Sequence, residues 1–309
     1  MIVNFRQNPI ARGVGIIGFS FRPLLFMTVY SSFIYAFNDV YPKLAIPVTP
    51  VSLLGVGLSI FLGFKNSAAY DRWWEARKIW GGIVNASRTF GIQVMTFLSV
   101  HHGASKEKRK KIREFQKKLM YRHMAWLNAL RLNLRKQTSW EELDEFLSKE
   151  DSERLKPAKN KPTMLAHQQA EMIQEAYEMG LLDSYHRIEM ANSLKEFYTL
   201  QGKCERIKNT PMPRYYSYFI RLFWYFYAGI LPFTLLKPFG LSGVLFSVLI
   251  SYAFWLIEGS GRLTADPFEN RATDTPMTAL CRTIEIDMRQ QLGETELPPP
   301  KTPENGILM

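Results

Sequence analysis

Charge is absent from two stretches long enough to decide the class of this chain. Lys43 and Lys65 bracket twenty-one uncharged residues, Leu44 to Phe64, and Lys237 and Glu258 bracket twenty, Pro238 to Ile257. A bilayer core of ~30 Å takes about 20 helical residues, so each run is long enough to span one. Shorter uncharged runs, Pro23 to Asn38 and Leu222 to Leu236, become spans if Arg22 and Arg221 extend their heads toward the lipid headgroups. The alternative, buried helices of a soluble protein, is disfavoured by the length of the runs. The sequence therefore predicts an all-α membrane protein with four transmembrane helices.

Loop charge orients them. Arg6 and Arg12 precede the first span, and Lys65, Arg72, Arg77 and Lys78 follow the second. The hairpin linkers carry only Lys43 against Asp39, and Lys237, whereas Arg262 and Arg271 follow the fourth span. The positive-inside rule then places both termini and the whole middle in the cytoplasm. The net charge of +11 is accommodated by an anionic membrane surface.

Between the two pairs of spans the pattern is helical. Ile112, Phe115, Leu119, His123, Trp126, Leu130 and Leu134 recur at spacings of three and four, the stripe of an amphipathic helix. Ser139 and Glu142 have the spacing of a capping box, Met164 to Met179 reads as a helix stopped by Gly180, and Asp183 to Leu200 as another. The expected organisation is 1–98 with spans one and two, 99–214 as a cytoplasmic helical domain, 215–258 with spans three and four, and 259–309 as a cytoplasmic tail.

Chemistry is sparse. The basic run from Lys106 to Arg113 has no interleaved aromatics, so it reads as a solvated or headgroup-facing surface and not as a nucleic-acid platform. His101 and His102 are adjacent and cannot form an i, i+4 metal pair, and His123 lies on the apolar stripe as a core histidine. Cys204 and Cys281 have no partners at zinc-ligand spacing. No phosphate loop, nucleophile elbow or metal helix is present, so no enzyme, cofactor or bound metal is expected.

Three spaced segments carry a resemblance. Arg72-Trp73-Trp74 follows Gly63-Phe64 and precedes Trp80-Gly81; Cys204 to Pro213 contains Asn209-Thr210-Pro211; and Asp266-Pro267-Phe268 precedes Asp274-Thr275-Pro276. Together they resemble the bestrophin family, in its short prokaryotic branch. The resemblance implies a homopentameric channel in a bacterial inner membrane, conducting monovalent ions through a central pore.

The family's pore neck is lined by three apolar residues of the second span, which correspond here to Val56, Ile60 and Phe64. Their spacing of four keeps them along one helix face, and Gly55, Gly57, Ser59 and Gly63 around them are small enough for close packing. Five copies would stack three apolar rings able to gate by dewetting; the alternative is an ordinary packing stripe.

Animal bestrophins pass anions, open with calcium and carry phenylalanine at the middle neck position. Ile60 lacks the electropositive ring edge of phenylalanine, so sodium is the expected ion and chloride the competing one. Glu269 to Asp274 contains two acids separated by Arg271, fewer oxygens than calcium takes, and no calcium activation is expected. For the family's second, cytoplasmic aperture the candidate is Ile173, flanked by Glu171, Glu175 and Glu178 as exit acids; alternatively Ile173 packs inward and the acids are solvated. Arg72, Trp73 and Trp74 read as structural anchors at the end of the neck, with Glu75 and Lys78 as a surface pair. Outside channels, a carrier would be expected to show internal repeats, which are lacking, and a non-conducting scaffold stays open.

Overall fold

The computed structural model describes residues 1, 15–37, 45–98 and 105–309. Arg6, Arg12, Asp39, Lys43, His101 and His102, used above for orientation or metal arguments, lie outside the described residues.

Helices follow one another in the order α1 (Gly15–Phe37), α2 (Val48–Phe97), α3 (Lys106–Arg135), α4 (Lys149–Leu155), α5 (Lys161–Glu178), α6 (Ser184–Asn209), α7 (Arg214–Phe239), α8 (Leu241–Thr264) and α9 (Met277–Gln291). Among the described residues the extended structure is limited to an isolated bridge, Glu304 with Ile307. Among the described residues three helices, α2, α7 and α8, are long and apolar enough to cross a membrane.

The ends of these helices differ with their surroundings. On the polar helices, side chains satisfy the free N–H groups of the first turn: Ser105 accepts from Lys108 N, Asn160 from Thr163 N and Asp183 from His186 N. The apolar helices α2, α7 and α8 start without a side-chain cap, after Pro47, Pro213 and Gly240.

Three boundaries depart from the sequence expectation. Lys237 and Pro238 belong to α7, which runs on to Phe239; the turn falls at Gly240, whose φ of +53° is a backbone conformation that a Cβ disfavours. The Ser139–Glu142 pair forms, with Ser139 Oγ donating to Glu142 Oε1 at 2.7 Å, but it opens a single 3₁₀ turn, Trp140–Glu145, and not a long helix. The sixth helix also extends past Leu200 to Asn209.

Fifty residues make α2 about 75 Å long at 1.5 Å per residue, and it threads two separate apolar cores. In the first, Val51, Leu58 and Leu62 of α2 pack with Trp224, Tyr227 and Leu231 of α7, Met27 of α1 and Val248 of α8. In the second, Trp80, Ile83 and Phe90 of α2 join α3, α5, α6 and α9. The predicted stripe of α3 is in that core: Ile112, Leu119, His123, Trp126, Leu130 and Leu134 are all buried, with Phe115 partly so. The Lys106–Arg113 run stays exposed apart from Ile112.

Candidate ion pathway and the junction beneath it

In the upper half of α2, one face is used and the other is free. Val51, Gly55, Leu58, Leu62 and Lys65 are buried against the rest of the chain. On the opposite face Val56 is 59%, Ile60 54% and Phe64 66% exposed, an apolar edge left open among the described residues. Water does not favour such an edge, so it faces lipid or further protein.

The small residues divide between the two faces. Gly55 meets Tyr227, whose hydroxyl would lie 2.7 Å from an added Cβ, so this glycine serves packing within the subunit. Gly57 and Gly63 have open space beside them. Ser59 turns its hydroxyl back to Gly55 O at 2.8 Å, which satisfies it without a partner helix.

Below the edge, the charges that end the uncharged runs converge. Lys65 Nζ lies 2.9 Å from Glu258 Oε1, and both side chains are about 95% buried, at 4% and 5% exposure. Arg221 Nε stands 3.7 Å and Arg262 Nε 3.9 Å from the same carboxylate. Asn66 Nδ2 adds a bond to Ile257 O at 3.0 Å. Sequence reasoning used these charges as run boundaries, as a snorkelling head and as orientation signals, and did not pair them. Their shared role as terminal charges of three apolar helices was the available signal.

The three segments that carried the resemblance meet one to two turns further along α2. The Arg72 guanidinium donates to Ile207 O and Thr210 O, carbonyls of the last turn of α6, where a cation also complements the helix dipole. Asp266 Oδ1 lies 3.7 Å from it. Trp73 Nε1 donates to Thr273 O at 2.9 Å, and Trp74 stacks on Tyr70. Glu75 and Lys78 pair at 3.1 Å. Phe268 is 1% exposed in the second core, and Pro267 O accepts from Thr275 N at 3.2 Å.

The loop between them is held by Asp274. Its Oδ2 accepts from Glu269 N at 2.6 Å and Arg271 N at 3.1 Å, and burial pushes its carboxyl above the usual range. One acid is thus committed to fixing the turn. Among the described residues no group of three His, Cys, Asp or Glu side chains is placed to hold a metal ion.

The candidates on α5 separate. Ile173 is 4% exposed within the helical core, which favours the inward-packing alternative over an aperture residue, since a ring around an aperture needs a free surface. On α5 the inward stripe is Leu165, Gln169, Met172, Ile173 and Ala176, which leaves Glu171, Glu175 and Glu178 outside. Glu171 is paired with Arg154 at 2.7 Å and lies 3.3 Å from His167; Glu178 accepts from Gln174 at 2.9 Å. The aromatic that stands free in this region is Tyr185, 86% exposed on the first turn of α6.

His123 is fully buried among Phe90, Trp126 and Phe197 and bonds Ser87 Oγ at 2.9 Å. Burial pulls its pKa down to about 3, so the ring is neutral. The thiols of Cys204 and Cys281 are buried and pushed up by desolvation, the latter to about 12, which keeps both unreactive.

Comparison with known proteins places this architecture. Residues 12–290 match the family described as bacterial/fungal bestrophin protein. A voltage-dependent anion channel-forming protein of Ralstonia nicotianae is 33% identical over 249 residues, 81% of this chain and 78% of that protein. One of Escherichia coli is 34% identical over 260 residues, 84% of this chain and 82% of that protein. Among solved structures, a bacterial bestrophin homologue from Klebsiella pneumoniae superposes with a TM-score of 0.81 at 28% identity, covering 88% of this chain and 98% of that one.

Proposed function

Since the chain belongs to the bacterial and fungal bestrophin family, whose members are ion channels and not enzymes, we propose that it is one subunit of a homopentamer with a central pore. Val56, Ile60 and Phe64 would form three stacked apolar rings in the neck. The observation that carries this reading is the free apolar edge of α2, whose opposite face is buried against its own subunit. An edge of that kind at a fivefold axis is a hydrophobic constriction.

We take α1 as the fourth span. It packs along α8 and α7, and Arg22 is its single charged residue. Both termini are assigned to the cytoplasmic side of a bacterial inner membrane. The backbones of Met1 and Leu308 pair with each other, and Ala279 N on α9 donates to Met309 O at 2.8 Å, which supports one side for both ends.

For the permeating ion, the relatives' names favour anions over the sodium expected from the sequence. On the cation side stand Ile60, which offers no positive ring edge, and the exposed Glu175. The pairing of Glu171 with Arg154 weakens a ring of exit acids. With Ile173 inside the core, Tyr185 becomes our candidate for the lower aperture.

Reversal potential in a planar bilayer under a sodium chloride gradient tests both levels of the proposal. A shift toward the chloride potential selects the anion channel, and one toward the sodium potential the cation channel. No current from folded oligomers, even with Ile60→Ala to widen the neck, removes the channel reading in favour of a scaffold.

A further inference from the structure

A cavity of about 340 Å3 opens beside the Lys65–Glu258 pair, lined by Lys65, Ser217, Tyr218, Arg221, Arg262 and Asp266. Its charge is unbalanced. Lys65, Arg221 and Arg262 all approach the single carboxylate of Glu258, and only Lys65 reaches hydrogen-bonding distance. Asp266 has its own cation in Arg72. Arg221 Nε is buried and lacks a hydrogen-bond partner. Two guanidiniums therefore converge on an opening with more positive charge than the protein neutralises.

The location specifies what would neutralise it. Lys65, Arg221 and Glu258 are the residues at which the uncharged runs of three apolar helices stop. They mark the depth at which hydrocarbon gives way to phosphates. Guanidiniums match phosphate oxygens in fork geometry, and basic pockets between spans on the cytoplasmic side suit anionic headgroups. Ser217 and Tyr218 add neutral donors, and Pro211 and Met212 supply apolar wall for the start of an acyl chain.

We propose that the α2–α7–α8 cavity is a binding site for the phosphodiester headgroup of an anionic phospholipid from the cytoplasmic leaflet, held by Arg221 and Arg262. The site rests on the membrane placement of these helices and not on conduction, so binding is read without flux. Its consequence is a tie between leaflet composition and the helix that carries the neck, because Lys65 lies one residue past Phe64.

Native mass spectrometry of the full chain as its assembled oligomer, titrated with phosphatidylglycerol or phosphatidylcholine, is the test. Phosphatidylglycerol should bind in preference, and Arg221→Gln with Arg262→Gln should weaken it roughly a hundredfold, about tenfold for each of two charge-assisted contacts. Arg262→Gln alone, at an exposed position, should show a partial loss and guards against misfolding of the double variant. Equal binding of the two lipids, or unchanged phosphatidylglycerol binding in both variants, would overturn the site. A comparable loss on Lys106→Gln would do so too, since it signals general attraction to basic surface. Inorganic phosphate separates the sources: competition at millimolar concentration alongside preferential lipid binding supports headgroup recognition, whereas stabilisation by phosphate with no added effect of lipid would overturn the lipid assignment.

Discussion

Lys65 and Glu258, 193 residues apart in the chain, form a buried ion pair at 2.9 Å where the apolar half of α2 meets the last turns of α8. The bond ties α2, one residue past the exposed Phe64, to a second apolar helix. Two charges at this depth are expensive singly and tolerable together, because each removes the other's desolvation penalty.

Glu258→Gln should lower stability by about 3–5 kcal/mol, because Lys65 and the two nearby arginines then face no carboxylate. The double change Lys65→Met with Glu258→Leu should recover much of that loss. Thermal unfolding of the oligomer in detergent measures both, and a double variant no better than Glu258→Gln would show that the arginines dominate the site.

Gly55→Ala places a methyl 2.7 Å from the Tyr227 hydroxyl and should cost about 1–3 kcal/mol by overpacking. Adding Tyr227→Phe should return part of this. Gly57→Ala, which meets nothing within 4 Å inside the subunit, should leave the isolated fold unaffected; any effect it has on oligomer stability or conductance reports contacts between subunits.

Substituting Arg72 by alanine leaves the last carbonyls of α6 without their donor and should destabilise by about 1.5–3 kcal/mol. Lysine should rescue only partly, since one ammonium cannot reproduce the two-pronged contact. Hydrogen exchange at the α6–α7 turn is the local readout: protection there unchanged in Arg72→Ala would place the loss elsewhere.

His123 makes the fold sensitive to acid. Its folded pKa of about 3 lies below the usual 6.5, so between those values the unfolded chain binds a proton that the folded one does not. Stability should therefore be unaffected by this group above pH 6.5 and fall as pH drops toward 3, at up to about 1.4 kcal/mol per pH unit. Unfolding midpoints measured from pH 7 to 4 should flatten in His123→Gln; an unaltered slope would assign the acid sensitivity to carboxylates.

Ile60→Phe should change the permeability ratio if the neck discriminates ions, because it introduces a ring edge at the middle constriction. Ile60→Ala should raise conductance by relieving dewetting. Single-channel recording reads both, and unchanged currents in the two variants would remove the neck from the explanation of selectivity.

How far each feature was legible follows from the range of the interaction behind it. The α3 stripe from Ile112 to Leu134 was readable because a helix repeats every 3.6 residues and its core face repeats with it. The stop at Gly180 and the cap at Asp183 are likewise local rules. The end of α7 was misplaced because Lys237 was taken as a boundary, when the controlling residue is Gly240 and its positive φ. Ile173 was left between two readings because an apolar residue on an amphipathic stripe has the same pattern whether it faces a pore or its own core.

By itself the sequence determined the all-helical class, the apolar runs, the face carrying Val56, Ile60 and Phe64, and the three motifs of the junction. These depend on helical periodicity, on the cost of charge in hydrocarbon and on short local patterns, all of which are written along the chain. Tertiary structure alone decided which residues meet: Lys65 with Glu258, Arg72 with the end of α6, Trp73 with Thr273, Gly55 with Tyr227. Each of those contacts joins segments far apart in sequence, and only the packing of α2 against the rest of the chain, α6, α7 and α8 above all, fixes their register.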